Sequence, residues 1–301
     1  MICRGVLAQF GRHAAVAFTQ TIEVGGASLQ IDFTQGDIQL TRPAIVERVR
    51  AAATAVTTYY GKFPVPRVRV LVIPVAGEDG VVQGTTWGDI DGFPAFLRLR
   101  VGEETTADEL RADWVMTHEL VHTALADLPD DQHWLEEGIA SYVEPIARVQ
   151  TGQLDPAKMW ADVVAGMVNG EPADGDRGLD RTHTWGRTYW GGALFCLTAD
   201  VAIRTATANR KGLQDALRAI VNTGATINTE TPLPRVLQIA DDATKTDVLS
   251  TMYAKWSVTP VEVDLPGLWQ RLGIHVANRR ATFDESAPLA AIRTAITAHR
   301  G

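Results

Sequence analysis

The sequence predicts an α+β protein in which a mixed, antiparallel-rich sheet with helices comes first and a mostly helical half follows. Three observations carry this reading. Apolar residues alternate at period two through most of residues 21–101, interrupted by one helical run, and recur at helical spacing thereafter. Glycine pairs and Gly/Asp clusters fall between the alternating segments, where turns belong. No internal repeat or low-complexity tract breaks the 301 residues into an array.

Taken in order, Ile22, Val24, Leu29, Ile31, Phe33, Ile38 and Leu40 alternate and imply short strands around a Gly25–Gly26 turn. Thr41 is placed to cap a helix with Pro43 near its start, and Ile45, Val46, Val49, Ala52, Ala53 and Val56 form its apolar face up to Tyr60–Gly61. Segments 65–74, 81–87 and 94–101 read as further strands, the last two joined by 88–92. Thr105 and Thr106 precede Asp108 and Glu109 as candidate caps of an apolar helix reaching Ala126. Helical spacing returns at 134–149, 156–168, 185–205, 212–221, 232–240 and 244–256. Residues 261–263 carry a short strand signal and 289–299 a last helix. Residues 169–183, rich in Gly, Asp and Pro, should form an exposed, mobile, solvated loop, a candidate lid over the cleft; Asp174, Asp176 and Asp180 are a weaker candidate for calcium, since their spacing does not fit an EF-hand. The chain divides accordingly into 1–105, an α/β unit; 106–256, a helical unit; and 257–301, a segment packed on the rest.

Composition narrows the function classes. The chain is 46% hydrophobic, enough for a large core, and 28 basic against 36 acidic residues give a net charge of −8. No Lys/Arg cluster points to nucleic acid or an anionic membrane, and no stretch reaches membrane-spanning length. Cys3 and Cys196 do not form a disulfide framework, and Cys196 reads as a small core residue. Apolar patches at 5–10 and 14–18 are too short for an export signal, so the chain reads as cytoplasmic as written, and as exported if a signal has been lost.

Chemistry concentrates in two segments. Residues 118–122 read His-Glu-Leu-Val-His, and Trp-Leu-Glu-Glu-Gly-Ile-Ala begins at Trp134. On a helix His118 and His122 share one face and can reach one metal ion, while Glu119 stands beside it without having to bind. Two imidazoles and an adjacent carboxylate are what metal-assisted hydrolysis needs: one zinc per chain acidifies a water and Glu119 takes its proton. The surrounding helix is apolar on all sides, so histidines in it are costly unless satisfied; the bland alternative is a core helix whose histidines bond backbone carbonyls. In the second helix Leu135, Ile139, Tyr142, Val143 and Ile146 form the core stripe, which turns Glu137, with Ser141 and Glu144, towards a cleft. Glu137 is therefore the third ligand, Glu136 a surface residue, and Ser141 a candidate partner for a ligand histidine.

HELVH followed by WLEEGIASYVEP resembles the gluzincin metallopeptidases, the clan of thermolysin, aminopeptidase N and the glycyl aminopeptidases. The resemblance spans about residues 107–200 and implies a zincin-like fold, a peptide or protein substrate and Glu137 as third ligand. It also implies an oxyanion donor. Tyr189, in Thr-Tyr-Trp-Gly-Gly-Ala-Leu-Phe, matches the tyrosine of the aminopeptidase Y-x-K-G-A segment, although Gly191 stands at the lysine; His183 is the alternative, as a histidine serves in thermolysin-like enzymes. In the clan an edge strand borders the cleft and pairs with extended substrate, a place that 84–101 occupies here. The aminopeptidases carry their amine-binding glutamate in a G-x-M-E-N strand, and here the region reads Gln83-Gly84-Thr85-Thr86-Trp87, which favours an endo- or oligopeptidase. Glu103, Glu104 and Glu144 remain as amine anchors, or as surface charge. The rival class is a non-catalytic, zinc-stabilised binding module with the same fold, against which Glu119 argues, because a structural site needs no base.

Overall fold

The computed structural model describes residues 15–299; Cys3 and most of the N-terminal apolar patches lie outside them. Strands β1 (Val16–Val24) and β2 (Ala27–Thr34) form an antiparallel hairpin across Gly25–Gly26. Ile38 and Leu40, expected in a strand, instead rest half-buried against the core in the connection that follows. Helix α1 (Arg42–Tyr60) begins where Thr41 accepts from the Ala44 amide and ends at Gly61, whose left-handed φ of 82° closes the last turn. Its predicted apolar face is buried.

Helix α1 carries the chain across so that β3 (Arg67–Val75) pairs parallel to β2. The hairpin β4 (Val81–Ile90) and β5 (Phe93–Gly102) completes the sheet, with β5 parallel to β3 and β4 antiparallel to β5. The order is β1-β2-β3-β5-β4, so the sheet is mixed, two ladders of each kind, and β4 is an edge. The β4–β5 turn is tighter than the sequence implied: pairing continues to Ile90 and only Asp91 and Gly92 turn.

The expected helix from Thr106 to Ala126 is two helices. Thr106 does cap α2 (Ala107–Ala112), with a reciprocal bond between the Thr106 amide and Glu109. Asp113 then breaks the run: its carboxylate accepts from the amides of Val115 (3.0 Å) and Met116 (3.1 Å) and starts α3 (Val115–Val121). The Arg48 guanidinium of α1 donates to the Asp113 carbonyl at 2.6 Å and fixes the break. Helix α3 tightens into a 3₁₀ turn at His122–Ala124, where Thr123 donates to the Leu120 carbonyl.

Helix α4 (His133–Gln150) packs on α1 and α3, and α5 (Pro156–Met167) follows it. A π-helical turn, Gly186–Gly191, leads into α6 (Gly192–Ala206). Helices α4 and α6 cross at Gly138 and Gly192: a methyl at Gly138 would lie 2.4 Å from the Gly192 backbone, and one at Gly192 2.2 Å from the Trp134 carbonyl oxygen. The glycines of the stretches WLEEG and YWGG thus bring Glu137 and Tyr189 onto one crossing. Helices α7 (Leu213–Thr223), α8 (Leu233–Thr244), α9 (Val248–Trp256), α10 (Leu265–Leu272) and α11 (Ala290–Thr297) complete the helical half. One continuous apolar core runs from the sheet through these helices.

Two other expectations are corrected. Residues 261–263 form no strand; the Val263 amide instead donates to the Glu171 carboxylate. The C-terminal strand pair is β6 (Ile274–Ala277) with β7 (Arg280–Phe283), turned by Asn278 and Arg279, both at positive φ. The acidic loop is pinned rather than free. Asp176 makes a buried 2.7 Å ion pair with Arg187, Leu179 is fully buried, and Asp180 accepts from Trp134 Nε1 (2.7 Å) and the Tyr253 hydroxyl (2.8 Å). Two of the three aspartates considered for calcium are thereby engaged within the protein.

Candidate active site

Helix α3 and the 3₁₀ turn that continues it present His118 and His122 one turn apart, their ring centroids 5.0 Å from each other. Helix α4 brings Glu137 to both: Glu137 Oε2 lies 3.0 Å from His118 Nε2 and 3.6 Å from His122 Nε2. The three donor atoms all fall within 4.8 Å of one another. Ligand atoms about 2 Å from a tetrahedral zinc stand ~3.3 Å apart, so the cluster fits that ion, with one corner left, among the described residues, without a protein ligand. The protonation states fit as well. Burial pulls His122 down to about 4, keeping it neutral, the form that binds metal. Burial opposes the charge on Glu137, but hydrogen bonds from His118 and His133 outweigh it and hold the carboxyl well below the usual range.

Glu119 lies beside the cluster, against the edge strand. Thr86 Oγ1 lies 2.8 Å from Glu119 Oε2 and 3.0 Å from the Glu119 carbonyl, and its proton serves one of them at a time. Gly84 makes room for the Glu119 side chain: a Cβ there would lie 2.4 Å from Glu119 Cγ. Burial raises the Glu119 pKa, partly offset by His118 and Thr86, which suits a group that must take and return a proton.

Tyr189 projects from the π-helical turn. Its ring stacks over His118 at 6.2 Å, and its phenol is pushed up to about 12, by burial first and then by the Glu137 and Glu119 carboxylates. The phenol therefore keeps its proton at neutral pH and is a donor facing the ligand cluster. His183 is exposed and lines a separate shallow hollow with His133, Asp130 and Asp131.

Several residues behave differently from expectation. Glu136 is not a surface group: its side chain is 17% exposed, accepts from the Leu128 amide at 3.1 Å and meets His133 Nδ1 at 2.8 Å. Ser141 bonds neither histidine and faces a neighbouring cavity. Glu144 is buried and paired with Arg148 at 3.0 Å, so it offers no free charge to an amine. Glu103 and Glu104 follow β5 at the start of the connection to α2.

Sequence reasoning missed Thr86 and His133. His133 Nε2 lies 3.3 Å from Glu137 Oε1, and its i,i+4 spacing to Glu137 was a readable signal. The two carboxylates raise His133 to about 10, with Glu136 contributing most. Thr86 carried no comparable signal, because its meeting with Glu119 is a strand-to-helix contact.

No family model matches this sequence, and no curated protein matches it. Solved structures do. An aminopeptidase N family protein from Idiomarina loihiensis superposes with a TM-score of 0.64 at 13% identity, over 86% of this chain and 50% of its own. An M1 zinc metallopeptidase from Deinococcus radiodurans gives a TM-score of 0.50 at 17% identity, over 82% of this chain and 52% of its own. A variant of that enzyme bound to a Tyr-Ser-Ala substrate gives 0.51 at 17% identity, over 83% and 53%. The chain thus spans about half the length of these proteins and shares their fold.

Proposed function

We propose that this chain is a zinc-dependent peptide-bond hydrolase. The observation that carries the reading is the convergence of His118, His122 and Glu137 on one point, with Glu119 beside it and held by the edge strand. Zinc, held by those three residues, would supply an electrophilic centre and an acidified water.

The chain's own residues do the rest. Glu119 accepts the proton of the attacking water on its carboxylate and returns it to the leaving amine. Thr86 and Gly84 hold Glu119 in place during both transfers. Tyr189 donates its phenolic proton in a hydrogen bond to the oxyanion, a role that its position over His118 favours above exposed His183. His133 holds the second oxygen of Glu137, which leaves Oε2 directed at the two histidines. The edge strand β4 offers main-chain groups to an extended peptide, a mode that makes little demand on sequence.

Internal cleavage is the favoured mode. Strand β4 has no carboxylate at 83–87 to receive a free amine, and the Glu136 and Glu144 carboxylates are spent on His133 and Arg148. The direct test is metal removal: a chelator should abolish cleavage of a peptide mixture, and equimolar zinc should restore it. Cleavage that survives chelation, with the metal shown to be gone, would end this reading.

A further inference from the structure

A cavity of about 860 Å³ opens beside His118. Its walls come from α2, from Trp114 before α3 and His118 on it, from α4, the 153–155 connection, α5 and the π-helical turn with Trp185 before it; none comes from β4. The cavity therefore adjoins the ligand cluster through His118 and Tyr189, on walls that the edge strand does not supply.

The character of the walls is unusual for a surface. Trp114 is 53% exposed and Trp185 64% exposed, and both line this cavity. Each ring is also tied to the site: Trp114 stands edge-on to His118 at 5.5 Å, and Trp185 lies against Tyr189 at 6.1 Å. The aromatic wall thus runs from a metal-ligating histidine to the phenol proposed to receive the oxyanion. Further in lie Trp190 and the thioethers of Met159 and Met167, soft groups that adapt to varied apolar shapes.

Charges around the cavity are already matched. At the rim Arg111 pairs with Asp108 (2.6 Å), Lys158 with Asp162 (2.5 Å) and Asp155 with Arg280 (2.8 Å). Below them the buried Glu144 pairs with Arg148. A charged substrate side chain would lose water here without gaining a free counter-ion, whereas an aromatic ring gains apolar contact and edge-to-face partners.

We infer that this cavity receives the side chain of a residue flanking the scissile bond and selects large apolar, above all aromatic, side chains. The inference rests on the hydrolase reading above and names the substrate class for that site. Trp185 and Trp114 are its specificity-determining residues.

The test uses two readouts so that the two readings fail separately. Zinc-loaded Glu119→Gln protein, which need not turn over, is titrated with N-acetyl-phenylalaninamide and N-acetyl-alaninamide. The phenylalanine probe should bind at least tenfold more tightly, and Trp185→Ala, at an exposed position, should cut that preference at least threefold. In parallel, wild-type protein is given a diverse peptide mixture and the residues flanking each cut are counted. Enrichment of Phe, Tyr and Trp on one side of the cuts, diminished in Trp185→Ala, supports the inference. Cuts with no aromatic enrichment on either side, and equal binding of both probes, would overturn it and leave the hydrolase standing. Preferential binding of the phenylalanine probe with no cleavage would uphold the cavity's selectivity and remove the hydrolase reading beneath it.

Discussion

The hydroxyl of Thr86 sits 2.8 Å from the Glu119 carboxylate, joining the sheet's edge strand to the proposed general base. A hydrogen bond to a charged acceptor is worth about 1.5–3 kcal/mol. Thr86→Val keeps the shape and deletes the donor, so kcat should fall about 10- to 100-fold with little change in KM, and Thr86→Ser should recover most of the loss. Equal kcat values for the Val and wild-type enzymes would show that Glu119 is held by other groups.

Gly84 makes the same junction tighter. A Cβ there would stand 2.4 Å from Glu119 Cγ, and the main chain of a hydrogen-bonded strand yields little. Gly84→Ala should therefore displace the base and lower kcat by more than about 100-fold, the order of loss expected when general-base catalysis is removed, while zinc content holds at one per chain. Stoichiometric zinc with full turnover would contradict the packing described here.

A titration of the metal-free protein follows from the same burial. Burial raises Glu119 above the ordinary glutamate value of 4.5, so in zinc-free protein its carboxyl, followed by NMR, should titrate above that value. Thr86→Val should move the midpoint further up, since the lost hydrogen bond favoured the charged form. A midpoint at or below pH 4.5 would be incompatible with this account.

His133 bears on stability in the metal-free protein. Its folded-state pKa is raised from 6.5 to about 10, so its contribution is fully present below the unfolded value and disappears as pH rises through the folded one. The side chain is 52% exposed, so after solvent screening its share is about 1 kcal/mol or less. Denaturant midpoints of wild type and His133→Gln should differ most near pH 6 and converge above about pH 10. A gap that widens with pH would reverse the sign and refute the ion-pair account.

The acidic loop gives a further stability prediction. Asp176 and Arg187 are both buried and paired at 2.7 Å, and Arg187 also donates to the Gly170 carbonyl. Asp176→Ala leaves an uncompensated buried cation, a loss of about 3–5 kcal/mol, and should lower Tm by roughly 10 °C in a scan of the zinc-loaded protein. A shift under about 2 °C would mean that the loop is as loose as its composition suggested.

What could be read from the sequence was local. The 3.6-residue period placed His118, His122 and Glu137 before any fold was known, and Thr41 and Gly61 marked both ends of α1. The break at Asp113 is not legible locally, because aspartate is equally at home on a helix surface and at a cap; Arg48, 65 residues earlier, decides which. The loop at 169–183 was misread for the same reason, since nothing nearby in sequence announces that Asp176 will meet Arg187 or that Asp180 will meet Tyr253. Strands β6 and β7 are four residues each, too short for an alternating pattern to stand out, and turn on Asn-Arg rather than a glycine pair. Thr86 was invisible because register between an edge strand and a helix is set by tertiary packing, which no local period records.

The central claim is that Glu119, beside a zinc held by His118, His122 and Glu137, cleaves peptide bonds. Mass spectrometry of a diverse peptide mixture treated with zinc-loaded wild type and Glu119→Gln, with zinc content measured in both, tests it most directly. The account predicts one zinc per chain in each protein, internal cuts by the wild type, and a loss of about 10²- to 10⁴-fold in the variant. Equal cleavage by the two proteins, or no cleavage by the zinc-loaded wild type, would contradict it.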